Sequence, residues 1–307
     1  MTALNEKTSK LKRNPPGQTG PWFAFPTVFY LVLTIAVPLV ITVVYSFLEK
    51  AQLGTGVQWS FNPRAYKDIF IQEKLDGTTA FDTRYVKVLW NSFLYSGITT
   101  VVTLILSIPI AMWIATRTAA ARNFLVAAVT LPFWISILIR TYGLRQIIDD
   151  MGPIGAIMHR IGYTSYHIIY TPIATVTGLI YVFLPFMILP IYASAERFDF
   201  RLAEAAYDLG ARRMTVLRRV ILPSIRPGII SGIALVFIPA LGSFLQSDML
   251  GGGKTNMIAN VIANNYGQAR NWPFGSALSV LLMVLTLISV VIVQRIAARK
   301  GDKVELI

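Results

Sequence analysis

The run VLWNSFLYSGITTVVTLILSIPIAMWIAT, from Val88 to Thr116, holds 29 consecutive residues without Asp, Glu, Lys or Arg. About 20 apolar residues, each rising ~1.5 Å, cross the ~30 Å hydrocarbon layer of a bilayer, so this stretch is long enough to span one. The run is continuous rather than alternating, and backbone exposed to lipid must satisfy its own hydrogen bonds, which selects helix over strand. Five more uncharged runs follow the same rule: Asn14–Leu48, Asn123–Ile139, Ile161–Ala195, Pro227–Ser247 and Asn271–Gln294. Together they predict an all-α polytopic membrane protein with six transmembrane helices, over about 25–47, 91–114, 124–148, 173–193, 227–246 and 274–296. These make one membrane domain over 21–300, between tails at 1–20 and 301–307.

Composition points the same way. Of 307 residues, 54% are hydrophobic and 14% charged, against roughly a quarter charged in soluble domains. The net charge is +13, but with so few charges a nucleic-acid-binding surface is not expected. The chain has no Cys, which closes disulfide, thiolate-metal and thiol-nucleophile chemistry. The first apolar stretch is far longer than a signal-peptide core and lacks a small-residue cleavage site, so it is expected to stay in the membrane.

Basic residues set the expected orientation. Segments 1–20, 117–122, 197–226 and 295–307 carry 17 of the 28 Lys and Arg residues, which makes that side cytoplasmic and places both termini there. The basic tail is expected to touch anionic lipid. In the loop between the first two spans, Asn62-Pro63 reads as a helix start, followed by an amphipathic turn or two expected on the membrane surface. Asn256, Asn260 and Asn264 suggest a short outer helix. Arg140 and Arg145 are expected near the outer end of the third span, reaching the headgroups.

The most basic inner loop, 197–223, carries its own order. Phe198, Leu202, Ala205, Ala206 and Leu209 recur at helical spacing, Gly210 suits a left-handed C′ position, and Pro223 is expected to end a second short helix. An amphipathic helix too short to span, rimmed by Arg212, Arg213, Arg218 and Arg219, is a candidate ridge for a groove on a soluble partner. The other reading is a loop packed on its own bundle.

This segment resembles the EAA motif of ATP-binding-cassette importer permeases, in which Glu-Ala-Ala, three residues, Gly, nine residues, Ile, one residue and Leu-Pro form the helix that docks on the ATPase. Glu204, Ala205, Ala206, Gly210, Leu222 and Pro223 match, and Val220 stands in for the Ile. Leu131-Pro132-Phe133-Trp134, Leu138-Ile139-Arg140-Thr141-Tyr142, Glu196-Arg197-Phe198-Asp199, Leu250-Gly251-Gly252-Gly253-Lys254 and Asn271-Trp272-Pro273-Phe274-Gly275 look like the spermidine/putrescine (PotB-type) permeases. The family's Arg-Thr-Tyr-Ala-Trp is here Arg140-Thr141-Tyr142-Gly143-Leu144. Permeases for iron, thiamine, opines or phosphonates share parts of these motifs.

The resemblance implies a type I importer permease fold (MetI-like) and a location in the bacterial inner membrane. It implies import, with no catalysis in this chain, no cofactor of its own, and ATP and Mg on a partner ATPase. The implied partners are a second permease subunit (PotC-like), an ATPase dimer (PotA-like) and an extracytoplasmic substrate-binding protein (PotD-like). Glu204, Ala205, Ala206, Gly210, Leu222 and Pro223 would couple the bundle to the ATPase. For a polyamine pathway the candidates are Trp134, Arg140, Tyr142, Tyr181, Phe186 and Asp248, with Trp113 and Phe183 as further aromatic faces at about 0.5–2 kcal/mol per cation–π contact. Interfacial belts and packing are the competing uses of those aromatics. Asp149 and Asp150 join Asp248 at expected outer helix ends, where acids attract amines or simply meet solvent.

Two other readings are weighed. Gly253-Lys254-Thr255 is not a phosphate loop, because the required first Gly falls on Asp248. An ion-coupled secondary transporter would keep an ionisable group at mid-membrane, and the centres of the six runs hold none. His159 and His167 read as surface residues with no metal motif around them.

Overall fold

The structure, a computed structural model, describes residues 20–51, 56–73, 79–163 and 167–298. The expected tails at 1–20 and 301–307 therefore lie outside the described residues, apart from Gly20. In chain order, α1 (Gly20–Tyr45) leads to a ribbon of β1 (Leu48–Lys50) and β2 (Val57–Phe61), then α2 (Arg64–Asp68) and a second ribbon of β3 (Ile71–Glu73) and β4 (Thr79–Phe81). Next come α3 (Thr83–Ala115), α4 (Ala119–Thr130), a 3-10 turn at Leu131–Trp134, α5 (Ile137–Ile148), α6 (Pro153–Arg160) and α7 (Pro172–Glu196). The remainder is α8 (Arg201–Asp208), α9 (Arg213–Val216), a π turn at Leu217–Ile221, α10 (Leu222–Ser224), α11 (Arg226–Leu241), α12 (Leu245–Gly251), α13 (Ile258–Tyr266) and α14 (Trp272–Ala298).

Four helices are long and apolar enough to cross a membrane unbroken: Phe25–Tyr45, Thr83–Ala115, Pro172–Glu196 and Trp272–Arg295. The third expected span is not straight, and a second bend falls just ahead of the fifth, where it meets the preceding segment. Ala119–Trp134 and Ile137–Arg160 meet at 96°, and Arg213–Ser224 meets Arg226–Leu241 at 72°. Counting each bent pair once gives the six spans expected, but a single helix over 124–148 is corrected to two. Pro132 supplies no N–H and sits in the 3-10 turn, and Ile135 is extended before Ser136 starts α5, so the intrahelical ladder cannot run through.

The core forms where α3, α7 and α11 pack, around Leu179, Val182, Met187, Ile191, Val236 and Ala240. Hydrocarbon lipid offers little hydrophobic drive for helix association, so close van der Waals contact does that work through small residues. On α11, a Cβ at Gly228 would stand 2.3 Å from the Pro190 carbonyl oxygen, and one at Gly232 2.7 Å from Met187 Sδ. This Gly-x-x-x-Gly pair, legible in the sequence as a helix-dimer signal, went unused in the sequence reading. On α3 the face toward this core is Ser92, Ser96, Thr99, Thr100, Thr103 and Ser107, all buried. Thr100 and Thr103 donate their hydroxyls back to the carbonyls of Ser96 and Thr99, which lets a polar side chain sit in an apolar core. By contrast α1 packs along α14 and buries none of its apolar window.

The loop between the first two spans departs from the expected surface helix. Asn62 Oδ1 accepts from the Arg64 N–H at 3.0 Å, so the helix starts where the sequence places it. Yet Ala65 and Ile69 are buried against Ile258, Phe274, Ala277 and Leu278, which makes α2 a wedge among helices rather than a float on lipid. The two antiparallel ribbons beside it had no sequence signal strong enough to compete with helix in so apolar a chain. Of the asparagine triad, Asn260 and Asn264 lie on α13 and Asn256 precedes it.

Candidate functional site

The basic segment that follows α7 is ordered from residue 198 onward. Asp199 Oδ1 accepts from the Arg201 N–H at 3.0 Å, an Asx turn that launches α8. At the other end the Ala211 N–H reaches the Ala206 carbonyl at 3.0 Å, and the Gly210 N–H reaches Tyr207 at 2.8 Å. With Gly210 at φ +81°, this is a Schellman C-cap. No atom stands within 4 Å of a Cβ built on Gly210, so glycine is required there for its backbone conformation and not for space. The chain then turns into α9. Through the π turn the Leu222 N–H bonds to the Leu217 carbonyl, a widening that falls just ahead of Pro223, whose ring crowds the preceding turn. The helix ends at Ser224, one residue beyond the expected stop.

The two faces of α8 part differently from the expected single apolar stripe. Phe198, Ala203 and Val216 are buried, with Phe200, Ala206, Ala211, Val220 and Ile221 packed around them. Relative to exposure to water, burying Val216 and Phe198 contributes about 1.5–3 kcal/mol each. Leu202, Ala205 and Leu209 face outward instead, with Leu209 89% and Leu202 55% exposed, and Met214 extends the patch. Glu204, Arg212, Arg213, Arg218 and Arg219 are exposed around it. Of the matched residues, Glu204, Ala205, Gly210 and Pro223 are thus exposed, while Ala206 and Leu222 are half-buried. Leu222 and Ile221 also pack on the α3–α7–α11 core, so Ile221 touches both clusters. An ion pair at 3.3 Å joins Arg122 on α4 to Glu196 at the end of α7, just ahead of this segment.

The pathway candidates do not form one site in this chain. Phe186 meets Phe133 at 4.7 Å and Phe183 at 6.0 Å between centroids. Trp134, at the bend, is 90% exposed, and Tyr142 and Tyr181 are exposed too, as is Asp248. Trp113 instead stacks under Arg117 at 4.6 Å. Among the described residues no hydrogen bond, ion pair or ring contact joins Trp134, Arg140, Tyr142, Tyr181 and Asp248 to one another. Arg140 does not simply reach outward from the span end: its Nε and Nη1 are shielded and unpaired. Arg145 donates to the Tyr170 hydroxyl at 2.6 Å. Asp150 pairs with His167 at 2.9 Å and Asp149 accepts from the Met151 N–H; no group of three metal-ligating acids and histidines occurs among the described residues.

A polar clasp beside these residues went unforeseen. Gln246 is fully buried, donates to Thr141 Oγ1 at 3.4 Å and accepts from the Ser243 hydroxyl, joining α12 to α5. Ser247 donates to the Thr255 carbonyl and the Thr175 and Thr255 hydroxyls share a bond of 2.8 Å. Gly251 lies so close to Thr255 and Thr175 that no Cβ fits. Thr175 and Thr255 are 80 residues apart and Thr141 and Gln246 105, so only tertiary contact reveals these two bonds.

The described residues form a helical bundle of membrane-span length with a structured elbow after α7. Residues 78–302 match the model of the binding-protein-dependent transport system inner membrane component family, and the chain belongs to that family. It is 42% identical over 231 residues to the spermidine/putrescine transport system permease protein PotB of Haemophilus influenzae, covering 75% of this chain and 81% of that one. Among solved structures it resembles a chain of a bacterial ABC transporter that imports the acidic polysaccharide alginate, with TM-score 0.69 and 18% identity over 92% of this chain and 97% of that chain. It also resembles a chain of the inward-facing MetNI methionine ABC transporter, with TM-score 0.51 and 20% identity over 70% and 94% of the two chains. The fold is that of ABC importer permeases, and the chain is a multi-pass membrane protein and a permease, not an enzyme.

Proposed function

We propose that this chain forms half of the translocation pathway of an ATP-driven polyamine importer. The observation that carries the reading is the outward stripe of Leu202, Ala205 and Leu209 on α8, backed by the capped elbow at Gly210. An apolar ridge exposed to water at the end of a membrane bundle is unfavourable unless a partner covers it. The proposed partner is a cytoplasmic ATPase dimer that holds ATP and Mg, which puts α8 and both termini on the cytoplasmic side. A second permease completes the pathway, and an extracytoplasmic binding protein delivers spermidine or putrescine. The likeness to PotB supports the cargo.

Coupling in this scheme is a free energy shared between two ends of one bistable bundle. ATPase closure moves the ridge, the Gly210 elbow transmits the movement without melting, and Ile221 carries it into the α3–α7–α11 core. Glu204 and Ala205 present the docking face, while Leu222 and Pro223 set the return into α11. Trp134, Tyr142, Tyr181, Phe186 and Asp248 are the proposed pathway groups, with cation–π faces and one carboxylate suited to amines. Arg140 is a further proposed pathway group. The test is ATPase activity of the reconstituted four-component complex. Spermidine-loaded binding protein should raise it; equal rates with empty and loaded receptor sink the cargo, and full activity of the ATPase dimer without this chain's ridge sinks the coupling.

A further inference from the structure

The β1–β2 ribbon turns its large aromatic side chains outward. β2 is bulged: Gln58 pairs with Glu49 and Phe61 with Leu48, so Trp59 and Ser60 stand between them without partners on β1. The ordinary arrangement buries such side chains. Here Trp59 is 79% and Phe61 78% exposed, two of the more open large apolar residues in the structure. Lys50 pairs with Val57 across the strands and so shares its face, with its ammonium on the Ala269 carbonyl at 3.3 Å, while Glu49, opposite Gln58, accepts from Asn62 at 2.5 Å.

Depth decides what covers the two rings. Phe47 follows directly on the membrane helix α1 and belongs to the same uncharged run, which ends at Leu48. Phe61 stacks on Phe47 with centroids 5.7 Å apart and rings 9° from parallel. Phe61 therefore stands level with the end of a candidate span none of whose apolar window is buried within this chain, and Trp59 lies in the adjoining bulge. Large amphipathic rings are favoured at that level, where one side meets acyl chains and the other meets headgroups. The second ribbon repeats the arrangement: Ile71 pairs with Phe81 across the strands, both are exposed, and Phe81 immediately precedes Asp82, the cap of α3.

We infer that the β1–β2 ribbon is a lipid-seated foot, with Trp59 and Phe61 inserted in the headgroup layer of the bilayer beside α1 and α14. It moors the wedge α2 from the lipid side while Ala65 and Ile69 hold it from the protein side. The inference needs only the membrane position of α1, so it stands or falls independently of cargo and ATPase.

The absence of Cys from the chain permits a direct test. Single variants Gln58→Cys, Trp59→Cys, Ser60→Cys and Phe61→Cys carry a nitroxide, each in the assembled importer in nanodiscs of phosphatidylethanolamine and phosphatidylglycerol. Collision with oxygen, which partitions into lipid, is compared with collision with a water-soluble nickel chelate. The expected result is an oxygen-to-nickel ratio higher at 59 and 61 than at 58. A ratio that stays low at all four positions overturns the foot, because the ribbon then stands in water. Exclusion of both reagents at 59 and 61 overturns it equally, because a protein partner then covers the face. Gln58→Cys, at an exposed polar position, gives the water-side reference in a chain whose ribbon aromatics are intact.

Discussion

Gly210 bears the elbow through one dihedral angle. Left-handed backbone costs a residue with a Cβ roughly 1–2 kcal/mol, and Asn tolerates it better than other side chains. No neighbour crowds the position, so the cost is conformational alone and should grade as Asn, Ala, then Val. Gly210→Asn is expected to keep most coupled ATPase activity and Gly210→Val to lose most of it, at equal membrane insertion. Uptake at the wild-type rate in Gly210→Val would remove the elbow from the mechanism. Asp82 makes a second residue-scale case. Its carboxylate caps α3 through the Arg84 N–H at 2.8 Å and pairs with the Arg84 guanidinium at 2.8 Å. That hydrogen-bonded side chain holds the Asp82 carboxyl below the usual carboxylate range, against the opposing effect of burial. A depressed folded-state value means the stabilisation is complete above the ordinary value of 3.8 and is lost as pH falls through the lower folded one. Asp82→Asn should therefore lower the melting temperature at pH 7, and the difference from wild type should close in strong acid.

At the scale of elements, the α7–α11 contact and the α8 ridge respond oppositely to substitution. Gly228 and Gly232 let α11 lie against Pro190 and Met187, so Gly228→Val must push backbone apart. Overpacking of this kind costs typically 1–3 kcal/mol, and the solubilised variant should melt several degrees lower. A thermal shift assay that finds no change would show that α11 is not held there. Leu209, almost free of contacts, should behave in the reverse manner. Leu209→Glu is expected to leave melting unchanged and to abolish stimulation of the partner ATPase, since only an external surface is altered. Both signals were partly readable: the Gly-x-x-x-Gly spacing stands in the sequence, and so does the Leu202–Leu209 stripe. Which side of α8 faces the bundle was not, because Phe198, Ala203 and Ala206 compete with Leu202, Ala205 and Leu209 for one small cluster, and packing against Val216 and Ile221 settles the choice.

For the whole molecule, the proposed pathway wall and coupling ridge predict dependence on partners. The purified chain should insert and melt cooperatively yet neither hydrolyse ATP nor move spermidine; transport by vesicles holding this chain alone would contradict the scheme. Uncharged runs and helical spacing determined on their own that this is a helical multi-pass membrane protein with a bent basic segment at Glu204–Pro223, and the resemblance of that segment added the permease class. Those are properties of local composition and spacing, since about 20 apolar residues demand a bilayer wherever they occur. The 96° break after Trp134, the Gln246–Thr141 clasp, the burial of α2 and the outward face of β2 were decided only by tertiary structure. Each depends on which distant surfaces meet, and in lipid that is a matter of fit and hydrogen-bond satisfaction, which sequence spacing does not encode.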